Sequence, residues 1–172
     1  MDLRSGMRVL DMGCGKAMSS IFLAKEYGVT VFANDLWISA TENWKRICEA
    51  RLQDKIFPIH AEAHALPYAH EFFDAIVSID SYHYYGTDAL YLDYISQYLK
   101  SNGQIGIVVP GLIKEFDAFA PEHLLPYWDW SMYSFHTPGW WKRLWQFSQS
   151  VNVEVSDLLQ NGFELWLHWK KH

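Results

Sequence analysis

Cysteine is scarce: the 172 residues contain two, Cys14 and Cys48, neither in a CxxC pair nor beside histidines at metal-ligand spacing. That excludes a disulfide framework and a cysteine-bound metal, and a reduced, cytoplasmic protein is the simple expectation. Positive charge is also in deficit, with 14 lysines and arginines against 20 acidic residues and a net charge of -6. A phosphate backbone would be repelled, so nucleic acid is not expected as a partner. No stretch of 18 apolar residues occurs, and residues 1–8 lack the apolar run of a signal peptide, so no membrane association is expected. Internal repeats and low-complexity linkers are absent as well.

What is present is an ordinary globular composition, half apolar and 20% charged, with an unusual 17% of aromatic residues. The length suits a single domain spanning 1–172. Val9 and Leu10 lead into a glycine-rich turn, and Met18, Ile21, Phe22 and Lys25 follow at helical spacing until Gly28. A short apolar run at 29–33 ends on Asn34 and Asp35 as a second strand. An amphipathic helix is expected over 38–52, a third strand at Ile56–His60, and a fourth, buried on both faces, over 72–79. Helical period over 89–99, a turn at Ser101, Asn102 and Gly103, and a fifth strand over 105–109 complete a core spanning 7–110. Strands alternating with helices imply an α/β, doubly wound, mostly parallel sheet whose ligands bind at the carboxyl ends of the strands.

After Pro110 and Gly111 the alternation stops. Residues 112–145 are crowded with Trp, Tyr, Phe, His and Pro, with Thr137 and Pro138 placed to start a helix. Alternation at Val151, Val153 and Val155 predicts a sixth strand, so that 151–171 reads as strand then helix. The last segment fits a hairpin strand behind Asn161-Gly162 or a helix. Helix is preferred, with Asn161 and Glu164 as a capping pair and Lys170 and Lys171 at its end.

A parallel strand that turns through Gly-x-Gly into a helix presents backbone N–H groups and the positive end of the helix dipole to a ligand. A dinucleotide fingerprint would carry a third glycine where this chain has Met18, which disfavours NAD. The run Val9-Leu10-Asp11-Met12-Gly13-Cys14-Gly15-Lys16-Ala17 instead resembles the first motif of the Rossmann-like (class I) S-adenosylmethionine-dependent methyltransferases, with Ala17 in place of the last glycine. The resemblance implies that Asp11, Gly13, Gly15 and Ala17 surround the methionine part of S-adenosyl-L-methionine. It implies that Asp35 binds the ribose hydroxyls and that Leu36 lies against adenine. Ala61, Glu62 and Ala63 resemble the loop after the third strand, whose acidic side chain meets the adenine amino group. The run 73–80 resembles the family's fourth strand, which would set Ser78 and Asp80 under the sulfonium. Stretches at 35–39, 81–86 and 163–167 resemble, more faintly, a group of bacterial small-molecule methyltransferases. Against these roles stand a ligand-free strand-helix turn for the glycines, a solvated strand end for Asp35 and an exposed loop carboxylate for Glu62.

The family usually carries a helical segment before the first strand and an antiparallel seventh strand, and neither is evident here. A short variant, a fragment, or a homo-oligomer in which a second subunit supplies the cover would each fit. The leading expectation is methyl transfer to a small-molecule acceptor; the alternatives are a non-catalytic S-adenosylmethionine-binding protein and, more weakly, a nicotinamide oxidoreductase. His83, on the loop after the fourth strand, is the candidate general base, since its ordinary pKa suits proton transfer near neutrality; packing is the competing role. Tyr82 is expected to shape the pocket, and 112–145 to form an acceptor lid in which Trp130 and Tyr133 bind substrate. No metal ligands are expected.

Overall fold

The computed structural model describes residues 1–169, and the expectation for Lys170 and Lys171 lies outside the described residues. The chain forms two compact units, Met1–Pro110 and Gly111–His172. In the first, five strands make an all-parallel sheet in the order β3-β2-β1-β4-β5. The strands are β1 (Arg8–Met12), β2 (Thr30–Asp35), β3 (Ile56–His60), β4 (Phe73–Ile79) and β5 (Leu99–Val108), with helices α1 (Met18–Tyr27), α2 (Ala40–Glu49) and α3 (Tyr91–Ser96) between them. This is a Rossmann-like α/β fold. The register sets Asp11 beside Ala33 of β2 and Val77 of β4, so β1 is the buried centre of the sheet. Val9, Leu10, Val29, Val31, Ile47, Ile56 and Phe73 are fully buried and supply much of the apolar surface removed from water.

Local chemistry explains the boundaries. Gly28 ends α1 in the left-handed region at φ 66°, its N–H donating to the Ala24 carbonyl. Ser39 starts α2 with a reciprocal capping box: its hydroxyl accepts from the Glu42 N–H, and the Glu42 carboxylate accepts from the Ser39 N–H. The helix therefore begins at Ala40 rather than at Ile38.

Two boundaries depart from the sequence expectation. The fifth strand starts at Leu99, not at Ile105, and the expected turn at 101–103 is a bulge inside it. Phe73 pairs with Leu99 and Ala75 with Gln104, so β5 spends three more residues than β4 over this stretch, and Asn102 takes φ 65° to loop them out. The sixth strand expected at Val151, Val153 and Val155 does not form: residues 150–159 have no regular structure. An alternating pattern makes a strand only when a neighbouring edge accepts its backbone bonds, and none pairs with it here.

The second unit contains α4 (Pro138–Trp145) and α5 (Gly162–Trp169) with two 3-10 turns, Leu125–Tyr127 and Trp130–Ser134. Thr137 caps α4 as expected, its hydroxyl accepting from the Trp140 N–H at 3.2 Å. The last segment is helical. Asn161 adopts φ 57°, unlike the extended backbone of a side-chain cap, so the Asn161–Glu164 pairing read from the sequence is not what starts α5.

Candidate cofactor site at the carboxyl edge of the sheet

The turn after β1 is built from left-handed backbone. Gly13, Gly15 and Ala17 have φ of 66°, 52° and 59°. At Gly13 there is a second requirement: a Cβ would lie 2.2 Å from the Ser81 Oγ, so the loop after β4 closes directly onto this glycine. Around Gly15 the same test meets nothing within 4 Å, which leaves that side of the loop open to a ligand. Ala17 precedes α1 without giving it a side-chain cap, so the first N–H groups of the helix remain available as donors.

Hydrogen bonds tie this turn to the end of β2. The N–H groups of Gly13 and Cys14 donate to the Asn34 carbonyl at 2.8 and 3.1 Å. Gly15 donates to Asp35 Oδ2 at 2.8 Å, while Trp37 and Ile38 donate to Asp35 Oδ1, each at 2.8 Å. Asp35 therefore has a structural task that its place at the strand end did not reveal. Three N–H groups use most of the roughly four acceptor sites of a carboxylate. From the other side, the buried Asn43 of α2 donates to the Gly15 carbonyl at 2.8 Å.

Asp11 lies beneath the turn with no exposure. Its Oδ2 accepts from the Ser19 and Ser20 hydroxyls, each at 2.6 Å, whereas Oδ1 is buried without a partner. Burial raises its pKa above the ordinary carboxylate range. An unsatisfied carboxylate oxygen near the uncapped start of α1 fits the amino-acid end of S-adenosylmethionine, which carries both an ammonium and a carboxylate.

The loop after β3 joins the same edge. Ala61 donates its N–H to the Asp35 carbonyl at 3.2 Å and accepts from the Asn34 side chain at 3.1 Å, and the Ala63 carbonyl accepts from the Tyr91 hydroxyl at 3.0 Å. Leu36 is half exposed beside them. Glu62 is occupied locally: it accepts from the backbone N–H of His64 and pairs with its Nδ1 at 2.8 Å, and the bond from His64 lowers its pKa. Ser78 is buried in a hydroxyl cluster, 2.8 Å from the Ser81 Oγ and 3.1 Å from the Tyr85 hydroxyl, and Ser81 donates to the Met12 carbonyl at 2.8 Å. Burial pushes Tyr85 up to about 12, so its proton stays in the cluster. Asp80, at φ 57°, turns the chain out of β4. The structure thus brings Asp11, Gly13, Gly15, Ala17, Asp35, Leu36, Ala61 and Ser78 to one edge.

Burial sets two of the expected site residues apart. Tyr82, read as a pocket wall, is 1% exposed, with its ring against Tyr85, Tyr91 and the bare Cα of Gly86, where a Cβ would come within 2.0 Å. It is a packing residue. His83 is 2% exposed, and desolvation pushes its pKa down to about 4. The imidazole is neutral at pH 7 but a much weaker base than the sequence position suggested.

In the second unit, considered by itself, Trp130 is 80% exposed and Tyr133 also exposed on their 3-10 turn. Sequence reasoning missed a Glu–His pair there. His136 Nδ1 is 3.1 Å from Glu115 Oε2, Glu115 Oε1 accepts from the Thr137 N–H at 2.7 Å, and the His136 ring stacks on Trp140 at 3.6 Å. With Nδ1–H directed to Glu115, the ring presents Nε2 as an acceptor. The partners stand 21 residues apart, and no local pattern marks them. Among the described residues there is no group of three or more His, Cys, Asp or Glu that could hold a metal, and no helix long and apolar enough to cross a membrane.

Comparison with known proteins shows the family to which such an edge belongs. The family model for a methyltransferase domain matches residues 9–103, more than half of the chain and the whole of the edge just described. The chain belongs to the methyltransferase domain family. A curated relative, methyltransferase GfsG of Streptomyces halstedii, is 34% identical over 82 residues, which make up 47% of this chain and 30% of the relative. The chain thus spans under a third of that protein's length. Phosphoethanolamine N-methyltransferase 2 of Haemonchus contortus, solved with S-adenosylmethionine, superposes with a TM-score of 0.72 at 19% identity, over 85% of this chain and 33% of that one. A SAM-dependent methyltransferase from Aquifex aeolicus gives 0.66 at 18% identity, over 85% and 73%. At these identities the solved structures establish the fold; the family rests on the sequence match.

Proposed function

We infer that this methyltransferase-family chain binds S-adenosylmethionine along the carboxyl edge of β1, β2 and β3 and transfers its methyl group to a small-molecule acceptor. The observation that carries the reading is the bond from the Gly15 N–H to Asp35 Oδ2, which draws the two motif residues into one site. Asp11 and the turn from Gly13 to Ala17 would hold the amino-acid end, Asp35 the ribose diol, and Leu36, Ala61, Glu62 and Ala63 the adenine. Ser78 and Asp80, at the end of β4, complete the floor near the sulfur. Bound here, the cofactor supplies an activated methyl group on a sulfonium, and the work of the protein is to orient it and exclude water. Displacement at a methyl group requires no covalent intermediate with the chain.

In the second unit, taken by itself, the exposed Trp130 and Tyr133 offer aromatic faces suited to apolar or amine groups. Two of its acidic side chains are engaged locally: Glu115 is bonded to His136 and Thr137, and Asp129 caps its turn through the Ser131 N–H.

Incubation with methyl-labelled S-adenosylmethionine and a mixed metabolite extract tests the reading. A labelled small molecule formed in step with S-adenosylhomocysteine is the expected result. Binding without turnover would support a cofactor-binding protein instead, and preference for NAD over S-adenosylhomocysteine would revive an oxidoreductase.

A further inference from the structure

The loop after β3 is held at both ends. Asn34 donates its side-chain N–H to the Ala61 carbonyl at 3.1 Å, and Tyr91, at the start of α3, donates its hydroxyl to the Ala63 carbonyl at 3.0 Å. Between these anchors stands Glu62, and one residue grips both of its carboxylate oxygens. Oε2 accepts the backbone N–H of His64 at 2.9 Å, and Oε1 lies 2.8 Å from His64 Nδ1. An ionised carboxylate only accepts, so Nδ1 is the protonated ring nitrogen and donates. The imidazole in turn rests edge to face on the Tyr91 ring, with centroids 4.9 Å apart. Tyr91 is 1% exposed and packs against Tyr82 and Tyr85, so the support beneath His64 is part of the core.

The pair itself is half open to solvent, with side-chain exposures of 46% for Glu62 and 48% for His64. Exposed pairs of this kind contribute little to folding, so stability is a weak reason for the arrangement. Its physical effect is order. A glutamate side chain in water samples many rotamers, and fixing it costs entropy that a ligand would otherwise have to overcome on binding. The bond from His64 also lowers the pKa of Glu62, which keeps the carboxylate ionised. Each oxygen has about two acceptor sites and His64 fills one of them, which leaves one on each for an external donor.

We propose that His64 is the positioning residue for base recognition: it holds the Glu62 carboxylate as a fixed acceptor, and through it the site takes a 6-amino purine in preference to a 6-oxo purine. This rests on the adenine placement in the proposed function. An amino group donates to a carboxylate, whereas a carbonyl at the same ring position sets acceptor against acceptor and leaves both unpaired. A mobile carboxylate makes that distinction weakly, because it turns towards water when the wrong base is present. One clamped by His64 cannot turn away without breaking two hydrogen bonds.

The test is calorimetric titration with S-adenosylhomocysteine and with its deaminated analogue S-inosylhomocysteine, in which a carbonyl replaces the amino group. The proteins are the wild type, His64→Ala, His64→Asn, Glu62→Gln and the double variant of Glu62→Gln with His64→Ala. The asparagine amide nitrogen takes the place of Nδ1, so His64→Asn keeps the donor. The wild type is expected to prefer S-adenosylhomocysteine. His64→Ala should weaken that ligand by about three- to tenfold with little change for the analogue, and His64→Asn should restore most of the preference. In Glu62→Gln, whose amide can turn to pair with either base, the preference should collapse and His64→Ala should add nothing further. Because the pair is half exposed, the variants are expected to keep the fold, which thermal melts check. Equal losses for both ligands in His64→Ala would make His64 a loop support. No loss in either, a wild type blind to the base, or an undiminished effect of His64→Ala in Glu62→Gln would each remove it from base selection. Any of these results overturns the proposal and leaves cofactor binding itself intact. A wild type that binds neither ligand would instead overturn the cofactor reading, and the proposal with it.

Discussion

Replacing Asp35 by alanine separates two jobs that this residue performs. One is internal, since its carboxylate accepts the N–H groups of Gly15, Trp37 and Ile38, each at 2.8 Å. Bonds to a charged acceptor contribute about 1.5 to 3 kcal/mol each when water cannot replace them, but Trp37 is exposed and its N–H would be resolvated. A net destabilisation of about 1 to 3 kcal/mol follows, which for a chain of this size lowers Tm by roughly 3 to 10 °C. The second job is the ribose diol, whose loss costs about a further 1 to 3 kcal/mol of binding, or an affinity for S-adenosylhomocysteine weaker by about fivefold to 150-fold. Asp35→Asn keeps one acceptor oxygen and should recover part of the stability but little of the affinity. Thermal denaturation and calorimetric titration read the two effects separately. Unchanged affinity in a folded Asp35→Ala variant would refute the ribose assignment, and unchanged Tm would refute the loop-tying role.

Gly13→Ala sets a Cβ 2.2 Å from the Ser81 Oγ at φ 66°, so it should cost at least about 2 kcal/mol of stability and weaken cofactor binding, with partial recovery when combined with Ser81→Gly; chemical denaturation of the three variants checks this. His83 has its folded pKa lowered by burial from 6.5 to about 4, so the unfolded chain binds more protons between those values. The stability associated with its neutral ring is complete above pH 6.5 and is lost as pH falls towards 4, by about 3 kcal/mol in all. Urea denaturation at pH 7 and 4.5 should show that fall in the wild type and a smaller one in His83→Gln; parallel falls would place the acid sensitivity elsewhere.

The first three strands and α1 were legible because their signals are local. Gly28 marks a helix end by its own backbone freedom, and Asp11, Gly13, Gly15 and Asp35 sit at strand ends that apolar runs reveal. What escaped was set by partners distant in the chain. The start of β5 at Leu99 depends on pairing with Phe73, and Val151, Val153 and Val155 form no strand because no strand pairs with them. The closure of Ser81 onto Gly13, the burial of Tyr82 and His83, and the Glu115–His136 pair are contacts between residues that no spacing rule connects. The contact of Trp37 with Tyr84 is likewise set by the strand order, which brings their loops together across β1.

A crystal structure of the chain with S-adenosylhomocysteine tests the central claim most directly. The account predicts the amino-acid end on the turn from Gly13 to Ala17 above Asp11, the ribose hydroxyls on Asp35, and the sulfur between them. A ligand bound away from the carboxyl ends of β1 and β2, or one whose ribose makes no bond to Asp35, would contradict it.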